Sequence, residues 1–243
     1  MQNFLIVKLG TTFPLIAKNH GDFDDWIKTN LGWNPDKIWV LKPYSGERLP
    51  NPRQVSGVVV TGSHAMVTDQ ENWSEYTAAW LRKVIAAQTP LLGICYGHQL
   101  LAYALGGRVG PSPQGGEFGT VQTRLNEQAR KDALFGGLPH LMPVQVCHSQ
   151  FVLKLPPGAR LLASSDRDPH HAFAYGAVAW GIQFHPEFNR DILISYIRAF
   201  SNTLLSEGQK PETLIGSASN TPYGKELLRR FGKIVWENEQ KAR

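Results

Sequence analysis

Apolar residues recur along the chain with two periods. Leu5 to Leu9 is a short apolar run broken by Lys8 and stopped by Gly10, which reads as a first strand. Phe23, Trp26, Ile27 and Leu31 then fall at spacings of three and four, so 20–34 reads as an amphipathic helix stopped at Gly32. Ile38 to Leu41 and the β-branched Val55 to Val60 read as strands, the second buried on both faces. Residues 71–88 put Trp73, Tyr76, Thr77, Trp80, Leu81, Val84 and Ile85 on one helical face. Pro90 to Ile94 reads as a further buried strand, and His98 to Leu105 as a helix closed by Gly106 and Gly107. Strands alternating with helices predict a parallel sheet covered on both faces.

The pattern changes after residue 108. Short β-type runs occupy Gly119–Thr123, Pro143–Cys147, Phe151–Leu155, Arg160–Ser164 and Phe173–Trp180, with Pro/Gly turns between them. They predict a more antiparallel extension of the same sheet. Ala179 to Phe184 reads as a strand ending at His185-Pro186, and Asp191 to Leu205 as a helix. A polar stretch follows. A last amphipathic helix then runs from Pro222 to about Glu239, with Thr221 as its cap. It packs either on the domain or on a partner. The expected organisation is a main domain over 1–205 and a C-terminal extension over 206–243. The expected class is α/β, with a mostly parallel central sheet and helices on both faces.

Composition narrows the function. Of 243 residues 42% are hydrophobic and 19% charged, which is the balance of a core-rich globular protein. Two cysteines exclude a disulfide framework. Lys8, Lys18 and Asp22 interrupt the N-terminal apolar positions and no window reaches 18 apolar residues, so a soluble, cytoplasmic protein without a membrane span is expected. The net charge of +5 is mild. Lys225, Arg229, Arg230 and Lys233 are its densest cluster, but Glu226 and Glu237 stand among them, so no nucleic-acid partner is expected.

Two peptides carry the candidate chemistry. In PLLGICYGHQLL, 90–101, a buried strand runs into Cys95, with Gly93 and Gly97 on either side and a helix starting at once. A tight strand–turn–helix of this kind lifts a side chain above the sheet edge and sets it at a helix N-terminus, whose partial positive charge favours a thiolate. An inert core cysteine is the plain alternative, though it needs no such turn. Cys147, between β-type residues, reads as structural. In AWGIQFHPEF, 179–188, a strand delivers His185, Pro186 ends it, and Glu187 follows two residues on. Cysteine, imidazole and carboxylate supply a nucleophile, a proton carrier and the group that orients it; a structural surface histidine remains the alternative for His185. His140, His148, His170 and His171 show no HExxH pattern, and Cys147-His148 lacks zinc spacing, so neither metal nor cofactor is expected. The turn TGSHAM, 61–66, falls short of a phosphate loop; its amides at Gly62 and Ser63 suit an oxyanion instead.

LLGICYGHQLLAYALGGRV, 91–109, and WGIQFHPEF, 180–188, resemble the two signatures of class I glutamine amidotransferase domains. VVVTGSHAMV, 58–67, GGEFGTVQT, 115–123, and HSQFV, 148–152, resemble further segments of that family in the same order, and the likeness extends over roughly 55–200. It is nearest to the glutaminase part of GMP synthase and to stand-alone proteins like it. The resemblance implies a flavodoxin-like fold with a nucleophile elbow, and a catalytic Cys95, His185 and Glu187. It implies oxyanion donors at Gly62 or Ser63 and at Tyr96, and a glutamine substrate held by Gln99 and by the segment His148, Ser149 and Gln150, with Glu117 lining the same pocket.

The sequence departs from the family pattern at its oxyanion turn, where Ser63 and His64 replace the usual glycine and proline, and at Gln150, where aspartate is common. The Gly-Ser form resembles stand-alone members that cleave γ-glutamyl peptides. The helix over 20–34 is longer than the minimal family start and is placed to cover the pocket. The stretch after residue 205 is too short for an ATP pyrophosphatase, so a complete synthetase is not expected. The expected activity is therefore hydrolysis of the glutamine γ-carboxamide through a Cys95 thioester, with ammonia released or passed to a synthetase partner. The alternative is hydrolysis of γ-glutamyl peptides or amines on the same three residues.

Overall fold

The computed structural model describes residues 2–112 and 114–241. In chain order the strands are β1 Asn3–Val7, β2 Ile38–Leu41, β3 Val55–Val60, β4 Leu91–Ile94, β5 Arg108–Pro111, β6 Glu117–Leu125, β7 Leu141–His148, β8 Gln150–Lys154, β9 Arg160–Ser164, β10 Ala172–Tyr175 and β11 Ala179–Ile182. The helices are α1 Pro14–His20, α2 Phe23–Leu31, α3 Asn72–Ala86, α4 Tyr96–Ala104, α5 Glu127–Arg130, α6 Arg190–Ala199, α7 Ser201–Ser206, α8 Pro211–Ser217 and α9 Pro222–Lys241.

Nine strands form one sheet in the order β2-β1-β3-β4-β11-β10-β9-β6-β7, and β5 pairs with β8 apart from it. The neighbours from β2 to β11 are parallel, and those from β11 to β7 are antiparallel. The mainly parallel sheet with an antiparallel extension is the architecture that the periodicity implies. Successive side chains of β1 go to opposite faces. Phe4 and Ile6 join a core with α2 and α9, through Ile27, Leu31, Leu228 and Phe231. Leu5 and Val7 join a core with α3 and α4, through Leu81, Val84, Leu100 and Leu101. Both faces are covered, so β1 reads as a continuous apolar run and not as an alternation.

The differences from the sequence reading have local causes. Phe173–Trp180 is not one strand: Gly176 at φ 60° turns the chain, and Tyr175 pairs with Ala179 across a hairpin. The helix expected over 191–205 is divided at Phe200, whose ring packs on Phe13 and Phe118. The region expected as a single helix over 20–34 holds only α2, capped by Asp22 and ended by Gly32 at φ 70°, with α1 before it. The polar stretch contains α8, and α5 and β5 had no periodic signal.

Helix α9 packs on its own domain, with Leu227, Leu228, Phe231 and Val235 fully buried in the core. The approach is close: a Cβ on Gly232 would stand 2.3 Å from the Leu31 carbonyl oxygen. No helix among the described residues is long and apolar enough to cross a membrane. Gly232→Ala is expected to destabilise the fold by about 1–3 kcal/mol, the usual effect of overpacking. Gly216→Ala in α8, where an added Cβ meets nothing within 4 Å, is expected to be neutral or to stabilise by about 0.5–1 kcal/mol. Urea titration of the two variants checks the contrast.

Candidate active site

The turn after β4 is strained where the sequence places the cysteine. Cys95 has φ 51° and ψ −101°, one of the few positive-φ positions outside glycine among the described residues. A non-glycine residue holds such a conformation only when its surroundings enforce it. The enforcement is steric. A Cβ on Gly93 would meet the Gly97 carbonyl oxygen at 2.5 Å, and a Cβ on Gly97 would meet that of Val60 at 2.5 Å. The first turn of α4 therefore presses on the ends of β3 and β4, and Cys95 is forced up at the helix start. Its amide donates to the Ile182 carbonyl at 2.9 Å.

Parallel pairing of β4 with β11 brings the second peptide alongside, with Ile94 opposite Ile182. The chain then leaves the sheet, and the His185 amide donates to the Gln145 carbonyl on β7 at 2.8 Å. The His185 Nδ1 lies 2.8 Å from Glu187 Oε1, and the Cys95 thiol lies 4.0 Å from the Cys147 carbonyl oxygen. Phe188 stacks on the imidazole at 4.1 Å between centroids, and Phe23 stacks at 6.2 Å. All three polar groups are buried, at 3–5% exposure, so their charges interact through little water.

A cavity of about 220 Å³ opens over Cys95 and His185. One wall is polar, made by Gln99, His148, Ser149 and Gln150. The Gln99 amide nitrogen donates to the Gln150 carbonyl at 2.7 Å and to Gln183 Oε1 at 3.1 Å, while the Gln150 amide donates to Thr68 Oγ1 at 2.5 Å. At the turn after β3 the Thr61 hydroxyl donates to the Gly62 carbonyl at 2.8 Å. Across a trans peptide that leaves the Ser63 N–H on the opposite side. Ser63 lines the cavity, and Gly62 packs beneath it, a Cβ there standing 3.0 Å from the His185 ring. Tyr96 lines it too. Its hydroxyl is bound to Ser74 at 2.7 Å, and burial pushes its pKa up to about 12.

The class-I glutamine amidotransferase family model matches residues 37–195. The chain belongs to that family. γ-Glutamyl peptidase 4 of Arabidopsis thaliana is 30% identical over 227 residues, covering 91% of this chain and 88% of the relative. The glutamine-hydrolyzing GMP synthase of Aeropyrum pernix is 34% identical over 157 residues, covering 63% of this chain but 28% of the synthase. A Thermotoga maritima glutamine amidotransferase of known crystal structure shares the fold, with a TM-score of 0.75 at 22% identity over 98% of this chain and 99% of that one.

Within this class-I amidotransferase chain, the sequence-based expectation for Glu117 needs correction. Glu117 does not line the cavity. It stands behind His148, 3.2 Å from its Nε2, and accepts from Ser165 Oγ at 2.8 Å. Burial would raise its pKa, but His148 and His171 hold it below the usual carboxylate range. His171 is fully buried: its Nδ1 meets Thr123 Oγ1 at 3.0 Å and its Nε2 lies 3.6 Å from Glu117. Glu117, His148 and His171 bring one ligand-type atom each within 4.8 Å of one another, a set able to hold a metal ion. The sequence offered no signal for it, because the three come from distant elements with no motif spacing. Cys147, read as structural, lines the cavity. Burial pushes its thiol well up, so it remains protonated. Phe13, His64, Tyr196 and Phe200 also line the cavity and carried no sequence signal, while Phe23 does cover the pocket as the helix around it implied.

Burial alone would lower the pKa of His185. The charges of Glu187 and Cys95 and hydrogen bonds to both outweigh it and raise the pKa to about 10. An unfolded histidine titrates near 6.5. The proton on His185 therefore stabilises the fold fully below about pH 6.5, and that contribution is lost as pH rises through about 10. The urea midpoint is expected to fall between about pH 7 and about pH 10, and to fall less steeply in Glu187→Gln. Equal slopes in the two proteins would show that Glu187 does not set the titration.

Proposed function

We propose that this chain hydrolyses a γ-glutamyl carboxamide through a thioester on Cys95. The observation that carries the reading is the strained Cys95 at the start of α4, on the same cavity as a buried His185 that Glu187 holds from its Nδ1 side. The sulfur attacks the γ-carbonyl carbon, the new C–S bond forms, and the carbonyl electrons move to oxygen. The amides of Ser63 or Gly62 and of Tyr96 face that developing charge. Collapse breaks the C–N bond, and His185 gives its proton to the leaving nitrogen. Water then loses a proton to His185 and attacks the thioester, releasing glutamate and the free sulfur. Glu187 keeps the ring oriented throughout. Gln99, His148, Ser149 and Gln150 hold the glutamyl end, and Glu117 acts through His148.

With glutamine the leaving group is ammonia, released or passed to a synthetase partner. The GMP synthase relative is itself glutamine-hydrolyzing. A second reading, in which the leaving nitrogen carries a substituent, is favoured by coverage. The γ-glutamyl peptidase match spans 88% of its relative, whereas the synthase match spans 28%.

The test is glutamate and amine release from glutamine and from γ-glutamyl dipeptides. Cys95→Ser is expected to lower kcat by about 10⁴-fold or more, and Glu187→Gln by less, because it orients the base and does not react. Retained turnover in Cys95→Ser would overturn the mechanism. The alkaline limb of kcat/KM is expected near pH 10, where His185 loses its proton, and at lower pH in Glu187→Gln.

A further inference from the structure

The cavity is lined by two unlike sets of side chains. Besides the polar set, the rings of Phe13, Phe23, His64, Phe118, Tyr196 and Phe200 line it. They form a connected set, with centroids 4.5 Å apart for Phe13 and His64, 5.2 Å for Phe13 and Phe200, 5.8 Å for His64 and Tyr196, and 5.6 Å for Phe118 and Phe200. The set reaches the reacting groups through Phe23, which is 6.3 Å from His64 and 6.2 Å from His185. Burial, reinforced by the nearby His185, lowers the pKa of His64, so its imidazole is a neutral flat ring here. No Lys, Arg, Asp or Glu is among the residues that line the cavity.

Proton transfer sets which wall meets which end of a substrate. The leaving nitrogen takes its proton from His185, so any group on that nitrogen lies on the His185 side, where the rings are. The glutamyl end is left to Gln99 and Gln150. A peptide leaving group would bring a free carboxylate to this side, where His185 is the one cation and gives up its proton to the leaving nitrogen, and no Lys or Arg lines the cavity. A flat apolar group would gain edge and face contacts with the rings and lose its water.

We infer that these rings form a subsite for a flat apolar substituent on the leaving nitrogen, so that γ-glutamyl derivatives of ring-bearing alkylamines are hydrolysed in preference to glutamine and to γ-glutamyl peptides. The inference rests on the hydrolase reading above. The C–N bond breaks, the ring-bearing amine leaves with the proton of His185, and water completes the glutamate carboxylate.

The experiment compares kcat/KM of the purified protein on γ-glutamyl-benzylamide, γ-glutamyl-ethylamide and γ-glutamylglycine, by glutamate release. Benzylamide and ethylamide both release primary alkylamines and differ chiefly in the ring. A benzylamide preference of about fivefold or more over each of the other two is expected, the scale of a filled apolar pocket. Phe13→Leu and Phe200→Leu keep apolar bulk but remove the flat ring, and each is expected to cut the benzylamide-to-ethylamide ratio about threefold or more. A smaller preference in the wild type, or a ratio unchanged in both variants, overturns the subsite while ethylamide cleavage leaves the hydrolase reading standing. No release from any of the three overturns the subsite, and no release from glutamine in a fourth assay overturns the hydrolase reading with it.

Discussion

The pairing of β4 with β11 is the constraint from which the site follows. These strands are separated by more than eighty residues of sequence, yet they lie side by side in parallel, in register from Leu91 and Ala179 to Ile94 and Ile182. Each ends at the same level of the sheet, so the residues just beyond them are neighbours. One is Cys95. The other chain continues to His185. Carboxyl ends of parallel strands are where an open α/β sheet leaves a crevice. Here the crevice is closed on one side by the turn after β3 and on the other by the antiparallel extension, which contributes Cys147, His148 and Gln150.

The surroundings of His185 decide its charge. Burial among Phe23 and Phe188 disfavours the imidazolium, and the adjacent Glu187 and Cys95 favour it more strongly. A charge pair in a poorly hydrated setting interacts strongly, and breaking one partner leaves the other uncompensated. The same apolar rings that exclude water therefore strengthen the link between the three polar groups. His185 apart, they leave the cavity lining without a lysine, arginine, aspartate or glutamate. The proposed glutamyl group would meet amides, imidazole and backbone at the polar wall.

That wall is supported from behind. Gln99, from α4, ties the Gln150 carbonyl to the elbow helix, and His148 bridges the same carbonyl and Glu117. Ser165 and His171 hold Glu117 from the loop after β9. The extension is thus connected to the elbow by polar contacts between buried groups, which have narrow geometric tolerance and resist rearrangement.

Most of the parallel half was legible in the sequence, because β-branched runs and three-and-four spacing report burial directly. The Cys95 and His185 peptides were legible for a related reason. A glycine on each side of a cysteine and a proline after a histidine are backbone requirements, and these are local. What depends on long-range partners was not legible. Glu117, His148 and His171 come together from separate elements, so their buried junction had no local signature. The ring set unites the residue before α1, α2, the β3 turn, β6, α6 and the residue after it, and each of its residues alone looks like ordinary core. By itself the sequence determined the α/β class, the elbow, and the placement of cysteine, histidine and glutamate at strand ends, since strand and turn propensities act over a few residues. Only the tertiary structure decided which groups face the cavity and which stand behind it, because that depends on the packing of elements distant in the chain.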